Sequence, residues 1–363
     1  MRLTMKRIIT LGSLFDGIGV FPLDATLSGI TPLWASEIEA APIAITKYRF
    51  PEMQHLGDIT KLNGGEIPAV DVISFGSPCQ NLSQIGNRAG LSGAKSSLFF
   101  EAIRIINEMR DATDNLFPTI AVWENVMGAF SSNDRLDFNA VLRAFTDAEV
   151  PMPPSGRWAN AGMVRGRVPD LAWRLMDAQH WASPKLARRQ RIFLVADFGG
   201  RRADEILFKP RPLQQYYGAG TKGGLPAAER DRGSFIEARG RIPVVCPFQD
   251  FRMRAMAKHQ DKKRFFTSFG KPTDPFPTLL ASGVNRFAFW YEDDPQGGCI
   301  RYLTETECER LMGLPEGWTK YGAGAIEISS ASRYRALGNA IALPCASYIM
   351  AGISEALKEA LNV

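Results

Sequence analysis

The sequence predicts an α/β protein, in which a doubly wound, Rossmann-like sheet domain is followed by a smaller, loop-rich one. Three observations carry this. Short apolar runs alternate with helical patterns through the first two hundred residues, as parallel βαβ units require. The alternation stops at Gly199-Gly200, and clustered Arg and Lys, glycines, prolines and aromatics then run without clean periodicity to about residue 299. A chain of 363 residues that is 45% hydrophobic can bury one large core and one smaller one.

Taken in order, strands are expected at Ile8–Leu14, Leu33–Ser36, Val70–Ser74, Ile120–Trp123 and Ile192–Ala196. An early helix ends at Gly29, a suitable C′ residue. Between later strands, Leu98, Phe99, Ile103, Ile106 and Met109 share one helical face. Ser131–Arg167, broken by Pro151, Pro153 and Pro154, reads as an irregular insertion. A helical stretch at Glu305–Met312 and a terminal helix from about Ala340 close the chain. The expected division is a sheet domain over 1–199 completed by 333–363, a second domain over 200–299, and a hinge region over 300–332.

Composition narrows the chemistry. No window holds 18 uninterrupted apolar residues, so no membrane helix is expected, and the basic N-terminus runs into a strand rather than a signal peptide. Five cysteines (79, 246, 299, 308 and 345) without C-x-x-C spacing argue against a disulfide scaffold or zinc knuckle and for a reducing compartment. The three histidines are too scattered for a metal site. Chemistry therefore falls to Cys, carboxylates, Arg or an organic cofactor. Net charge is +5, but Arg201–Lys271 holds 16 Lys or Arg against 7 Asp or Glu, or +9, which leaves −4 elsewhere. That block suits a polyanion and equally suits a solvated loop region; charge alone does not decide.

The motifs decide more. Phe15-Asp16-Gly17-Ile18-Gly19 sits between a strand and a helix, where glycines let a ligand approach backbone N–H groups. Pro22 stands where a nicotinamide fingerprint wants its third glycine. Glu37, about 20 residues on, lies where an acid meets ribose hydroxyls, and Asp58 could hold an adenine amino group. Gly76-Ser77-Pro78-Cys79-Gln80 follows directly on a strand, and a Pro-Cys-Gln triplet is expected on the order of 0.01 times by chance. Glu124, in Glu124-Asn125-Val126, ends the next strand, where a carboxylate beside a cysteine can supply a proton as a thiolate adds. Arg189 and Arg191 share one face of a strand start, where guanidinium groups can bind phosphate or a base carbonyl. Each acid or arginine taken singly is an ordinary surface residue; the set is not.

Together these segments resemble the DNA cytosine-C5 methyltransferase family of bacteria and phages, in order and spacing. The C-terminal part adds Arg301-Tyr302-Leu303-Thr304, Glu307, Arg310, Met312, Gly313, Pro315 and Gly338-Asn339-Ala340. The resemblance covers nearly the whole chain; residues 131–170 and 200–275 are unmatched, and the second is where the family keeps its target-recognition domain. It implies S-adenosylmethionine as methyl donor, S-adenosylhomocysteine as product and no metal. It assigns Cys79 as nucleophile towards C6 of a flipped-out cytosine, Glu124 as the group at N3, Arg191 at O2 and Arg189 in support. For the cofactor it implies Phe15 near the adenine, Gly17 and Gly19 along the methionine portion with Asp16 just before them, and Glu37 on the ribose. Ile38, where an aromatic often packs on the adenine, belongs to the same pocket; Asp58 and Ile59 flank the adenine, and Pro78 and Asn339 complete it. Ile38, Val20, Ala340 and Pro184-Lys-Leu-Ala187 depart from the family pattern.

The implied partner is double-stranded DNA, with no membrane, a monomeric enzyme, and room for a cognate restriction endonuclease that does not bind it. The compact length suits a prokaryotic cytoplasm, nucleoid-associated, or a phage-encoded protein. A transfer-RNA methyltransferase would use the same catalytic set, but no Cys-Phe-Thr segment of that group is present. A catalytically silent relative would have no chemical need for Cys79, Glu124 and Arg191. A nicotinamide oxidoreductase would leave Pro-Cys-Gln unexplained.

Overall fold

The structure, a computed structural model, describes residues 7–77, 98–166, 169–181, 187–210, 248–250, 267–269, 276, 278–281 and 302–361. Pro78 and Cys79 lie outside the described residues, as does most of the expected second domain. An eight-stranded sheet organises the rest. Its strands are β1 (Ile9–Leu14), β2 (Ile30–Ser36), β3 (Gln54–His55), β4 (Val72–Phe75), β5 (Ile120–Val126), β6 (Ala161–Val164), β7 (Asp170–Asp177) and β8 (Gln190–Asp197), in the order β3-β2-β1-β4-β5-β8-β7-β6. The order reverses between β1 and β4, the switch point outside whose carboxyl ends such sheets bind ligands.

The central strands form because their apolar runs are covered on both faces: β4 is wholly buried, as is β5 but for Val126. Helices α1 (Val20–Leu27), α2 (Ala40–Arg49), α3 (Leu98–Ala112), α4 (Leu136–Thr146) and α5 (Ala203–Phe208) join them. α1 stops where the backbone turns left-handed at Gly29 (φ +74°), as expected. α3 lays Phe99, Ile103, Ile106 and Met109 against Trp34, Phe75 and Trp123 on one side of the sheet. The other side is covered by α1, α5 and a C-terminal group: α6 (Glu305–Leu311), α7 (Ser330–Asn339) and α8 (Leu343–Leu361). Short pairs β9 (Phe248–Asp250) with β10 (Thr267–Phe269) and β11 (Tyr321–Gly322) with β12 (Ile326–Glu327) complete the described elements. Among the described residues no single helix is long and apolar enough to cross a membrane.

Two expectations are corrected. The sheet is parallel only over β3-β2-β1-β4-β5; β8, β7 and β6 run antiparallel to their neighbours. Among the described residues no crossover helix separates β6 from β7 or β7 from β8, and without one a parallel return cannot be made. The stretch 131–167 is not irregular, since it contains α4 and β6, with Phe138, Val141, Leu142 and Phe145 buried against Trp158 and Trp173. The terminal helix expected from about Ala340 is α8, which starts at Leu343 with Pro344 in its first turn, where a missing N–H costs nothing, and a separate helix, α7, precedes it and ends at Asn339.

Loop 312–320 carries the chain from α6 to α7 and touches the glycine loop. Glu309, fully buried, accepts the Gly317 and Thr319 N–H groups at 2.6 and 2.8 Å and pairs with Arg333 at 3.1 Å. The loop so fixed presents Trp318, whose indole N–H donates to the Ile18 carbonyl at 2.8 Å.

Candidate active site

At the switch point β1 ends and the chain turns sharply. Phe15 takes φ +53°, Gly17 +59° and Gly19 +77°, the last capping α1. A Cβ on Gly17 would meet nothing within 4 Å, so this glycine is demanded by its backbone angle and leaves open space beside it. Gly19 has the angle and crowding too, with Phe50 and Thr46 3.0 Å from a would-be Cβ.

Glu37 follows β2 and folds back over this loop. Its carboxylate accepts the Gly17 N–H at 2.8 Å on one oxygen, and the Ile38 and Glu39 N–H groups at 2.7 and 2.9 Å on the other. Two carboxylate oxygens offer about four acceptor positions, so capacity for a hydroxyl remains. Asp58 caps the short helix Ile59–Lys61, one oxygen taking the Thr60 N–H at 3.0 Å and hydroxyl at 2.9 Å. These two bonds hold its pKa below the usual carboxylate value. Ile38 is 70% exposed, an apolar face at the cavity wall.

Asp16 behaves differently from its neighbours. Its carboxyl is buried beneath the loop and neither oxygen has a hydrogen bond. Burial raises its pKa to about 7; the Ser13 hydroxyl opposes the shift and the Glu37 charge adds to it.

The ends of β4 and β5 form the other half. Gly76 and Ser77 follow β4, and Ser77 accepts the Trp123 indole N–H and the Asn125 amide, both at 3.2 Å. Glu124 lies beside Gly76, so close that a Cβ there would stand 2.9 Å from its Oε2. The antiparallel register sets Glu124 opposite Phe193 and Val126 opposite Arg191, which makes Glu124 and Arg191 diagonal neighbours on one face. Arg191 Nε meets Glu124 Oε1 at 2.9 Å. Burial nevertheless pushes the Glu124 pKa above the usual carboxylate value, against the pull of Arg191 and then Arg189.

Both halves open into one cavity of about 700 Å³, a volume suited to a small organic ligand. Phe15, Gly17, Glu37, Ile38, Asp58 and Ile59 line one end, and Gly76, Ser77, Glu124, Asn125 and Arg191 another. Asn339 and Arg335 of α7 line it as well. Gly19 and Asp16 lie outside the lining: Gly19 shapes the turn, and Asp16 is sealed below it. Arg189 reaches the wall but is 1% exposed, its Nη1 and Nη2 donating to backbone carbonyls while the buried Nε has no partner. Gly76, Ser77 and Asn125 stood in the sequence motifs without a role; Trp318 and Arg335 carried no signal there. Among the described residues no group of three His, Cys, Asp or Glu is arranged to hold a metal ion.

A family model for C-5 cytosine-specific DNA methylase matches residues 9–202 and 247–355. Type II methyltransferase M.MspI of Moraxella sp. is 27% identical, over 95% of this chain and 70% of that protein. A protein of Escherichia phage P1 named DNA N-6-adenine-methyltransferase is 25% identical over 95% of this chain, which spans 61% of its length. The crystal structure of the S. pombe Dnmt2 methyltransferase superposes with a TM-score of 0.61 at 18% identity, covering 98% of this chain and all of that one. The Rossmann-like methyltransferase fold is thereby shared.

Proposed function

The chain belongs to the C-5 cytosine-specific DNA methylase family, and from that premise we propose that it methylates C5 of a flipped-out cytosine in a specific duplex DNA sequence. The donor is S-adenosylmethionine, and the reaction passes through a covalent Cys79–C6 adduct. The observation that carries the reading is the single cavity: a nucleoside-shaped edge at Gly17, Glu37 and Asp58 opens into the same space as a buried acid, Glu124, clamped by Arg191.

The residues present fit the cofactor. Gly17 leaves its side of the cavity clear, Glu37 keeps acceptor capacity for ribose hydroxyls, and Asp58 has an uncommitted oxygen for an amino group. Ile38 offers its exposed face to the adenine, and Ile59 and Asn339 line the same cavity; Pro78, outside the described residues, is assigned to the pocket by the motif alone. Bound there, the cofactor supplies an electrophilic methyl group.

The protein's own task is to make a poor carbon nucleophile reactive. Cys79 is two residues beyond Ser77, and covalent geometry keeps their Cα atoms within about 7 Å. Its thiolate adds to C6 while Glu124, whose burial favours the protonated form, donates to N3. Arg191 holds Glu124 in place and extends towards O2. Addition makes C5 electron-rich; after methylation, loss of the C5 proton and expulsion of Cys79 restore the ring. Taking the base out of the stack is what brings C5 and C6 within reach. The basic stretch 201–271 holds the DNA phosphates, and residues of about 200–285 read the sequence. We assign 1–199 with 333–363 to the catalytic domain and 300–332 to the hinge.

The name of the phage relative raises a second reading, methylation of adenine at N6. That chemistry attacks from an exocyclic nitrogen and has no use for a thiolate at C6, so a Pro-Cys-Gln motif directly after Ser77, in a chain with a buried Glu124, favours cytosine. The test is transfer of label from S-adenosylmethionine to unmethylated duplex DNA, with transfer RNA and Cys79→Ser alongside, followed by base analysis. Label in 5-methylcytosine of DNA, abolished by Cys79→Ser, is expected. Label in N6-methyladenine, or in transfer RNA alone, would overturn the substrate; no label in either would overturn the activity.

A further inference from the structure

Two arginines lie at the start of the strand that faces Glu124 and both reach the cavity wall, but only Arg191 is ion-paired to Glu124. Arg189 is 1% exposed, and its Nη1 and Nη2 donate to the carbonyls of Leu279 and Gly338 at 3.2 and 3.1 Å. Those carbonyls belong to two different parts of the chain. Leu279 lies in the segment that returns from the basic, sequence-divergent region; Gly338 ends α7 and precedes Asn339 at the cavity.

The returning segment is bound along its length to the residues just before β8. Phe276 bridges Ala187 in parallel register, its carbonyl accepts the Arg188 N–H, and the Thr278 hydroxyl donates to the Arg188 carbonyl at 2.5 Å. Gly338 supplies an independent sign of the same junction. A Cβ there would stand 2.2 Å from Ala281 N and 2.4 Å from the Leu280 carbonyl carbon, so the segment passes against bare α7 backbone. The strand itself is anchored from behind, the Arg189 N–H donating to Asp177 at 3.1 Å.

We propose that Arg189 is a positioning residue, a tie that locks the segment returning from the recognition region to the end of α7, so that seating of DNA and of cofactor depend on each other. The DNA half rests on the reading given under Proposed function. A guanidinium suits the task because its rigid fork reaches two carbonyls at once; a lysine ammonium on a flexible stem cannot hold both in that geometry. Both terminal nitrogens are thus committed to backbone, and only the buried Nε is left without a partner.

Arg189→Lys and Gly338→Ala test the tie from its two ends. In hydrogen exchange on the ligand-free protein, Arg189→Lys is expected to speed exchange over 276–281 and 336–343 together, while 120–126 stays protected. Calorimetry is expected to find S-adenosylhomocysteine bound roughly 10-fold more weakly, and the KM for DNA raised by a similar factor with kcat less affected. Gly338→Ala, with Arg189 intact, is expected to loosen the same two segments. Unchanged exchange at either segment in Arg189→Lys overturns the tie. So does a kcat loss beyond about 100-fold at unchanged KM, which would put Arg189 on the reacting base. If the wild type binds S-adenosylhomocysteine but methylates no DNA, the functional reading falls, and exchange at the two segments still decides the tie.

Discussion

Gly76→Ala is the sharpest probe of the catalytic geometry, because it adds one methyl group against one carboxylate. The new Cβ would lie 2.9 Å from Glu124 Oε2, whereas the Ile341 methyl at 3.9 Å is in ordinary contact. Non-bonded atoms settle near roughly 3.5 Å, so the carboxylate must retreat by about half an ångström. Glu124 cannot retreat freely, because its other oxygen is held by Arg191 Nε at 2.9 Å. A displacement of about 1 Å at a reacting group costs on the order of 100-fold, so half of that is worth about 10-fold in kcat, or roughly 1.4 kcal/mol. The nearest obstacle is the end of a side chain, not backbone, so the fold should hold. The assay is methyl transfer to unmethylated duplex DNA, with thermal melting and calorimetry of S-adenosylhomocysteine as controls. Wild-type kcat in Gly76→Ala would refute the placement of Glu124 at the reacting base. Loss of S-adenosylhomocysteine binding with normal melting would move Gly76 into the cofactor cradle instead.

Three further outcomes follow from the same geometry. Glu37→Gln removes a charged acceptor of three backbone N–H groups and should weaken S-adenosylhomocysteine binding by about 10- to 100-fold at nearly constant Tm; unchanged binding would take Glu37 out of the ribose site. Asp16, whose folded pKa of about 7 exceeds its unfolded value of 3.8, adds stability that is fully present below pH 4 and is lost as pH rises towards 7. The loss is roughly 4 kcal/mol at most, so denaturant titrations should fall more steeply over that range in the wild type than in Asp16→Asn; parallel curves would reject a buried, unpartnered Asp16. Gly12→Ala would drive a methyl group to 2.1 Å from the Trp34 ring, which is fully buried and anchored on the Pro68 carbonyl at 2.8 Å. A cost of about 3 kcal/mol or more is expected in calorimetric unfolding, and a Tm within a degree of wild type would contradict it.

What the sequence revealed depended on how local the cause was. β1, β2, β4, β5 and β8 are interior strands whose apolar runs announce themselves, and the residues that follow or end them inherited their place from that: Gly17, Glu37, Gly76, Glu124. α4 was hidden by the serines before it and the prolines after it. Its helical face of Phe138, Val141, Leu142 and Phe145 has meaning only against Trp158 and Trp173 across the layer. The antiparallel edge was hidden for a similar reason, since β6 and β7 are defined by pairing partners rather than by composition. Arg189 and Arg191 show the limit most plainly. Two residues apart on one strand face, they carry the same signal in spacing, and only the family resemblance sets Arg191 at O2 and Arg189 in support. The partner of Arg191 is a cross-strand neighbour that register alone supplies, whereas Arg189 spends its charge on carbonyls 90 and 149 residues away. Spacing along a strand fixes which way a side chain points, and both arginines do flank Glu124. It cannot say whether bound backbone or open cavity waits there. That difference separates a group free to meet a substrate from one that holds the site together, and it exists only once the C-terminal helices have folded back onto the sheet.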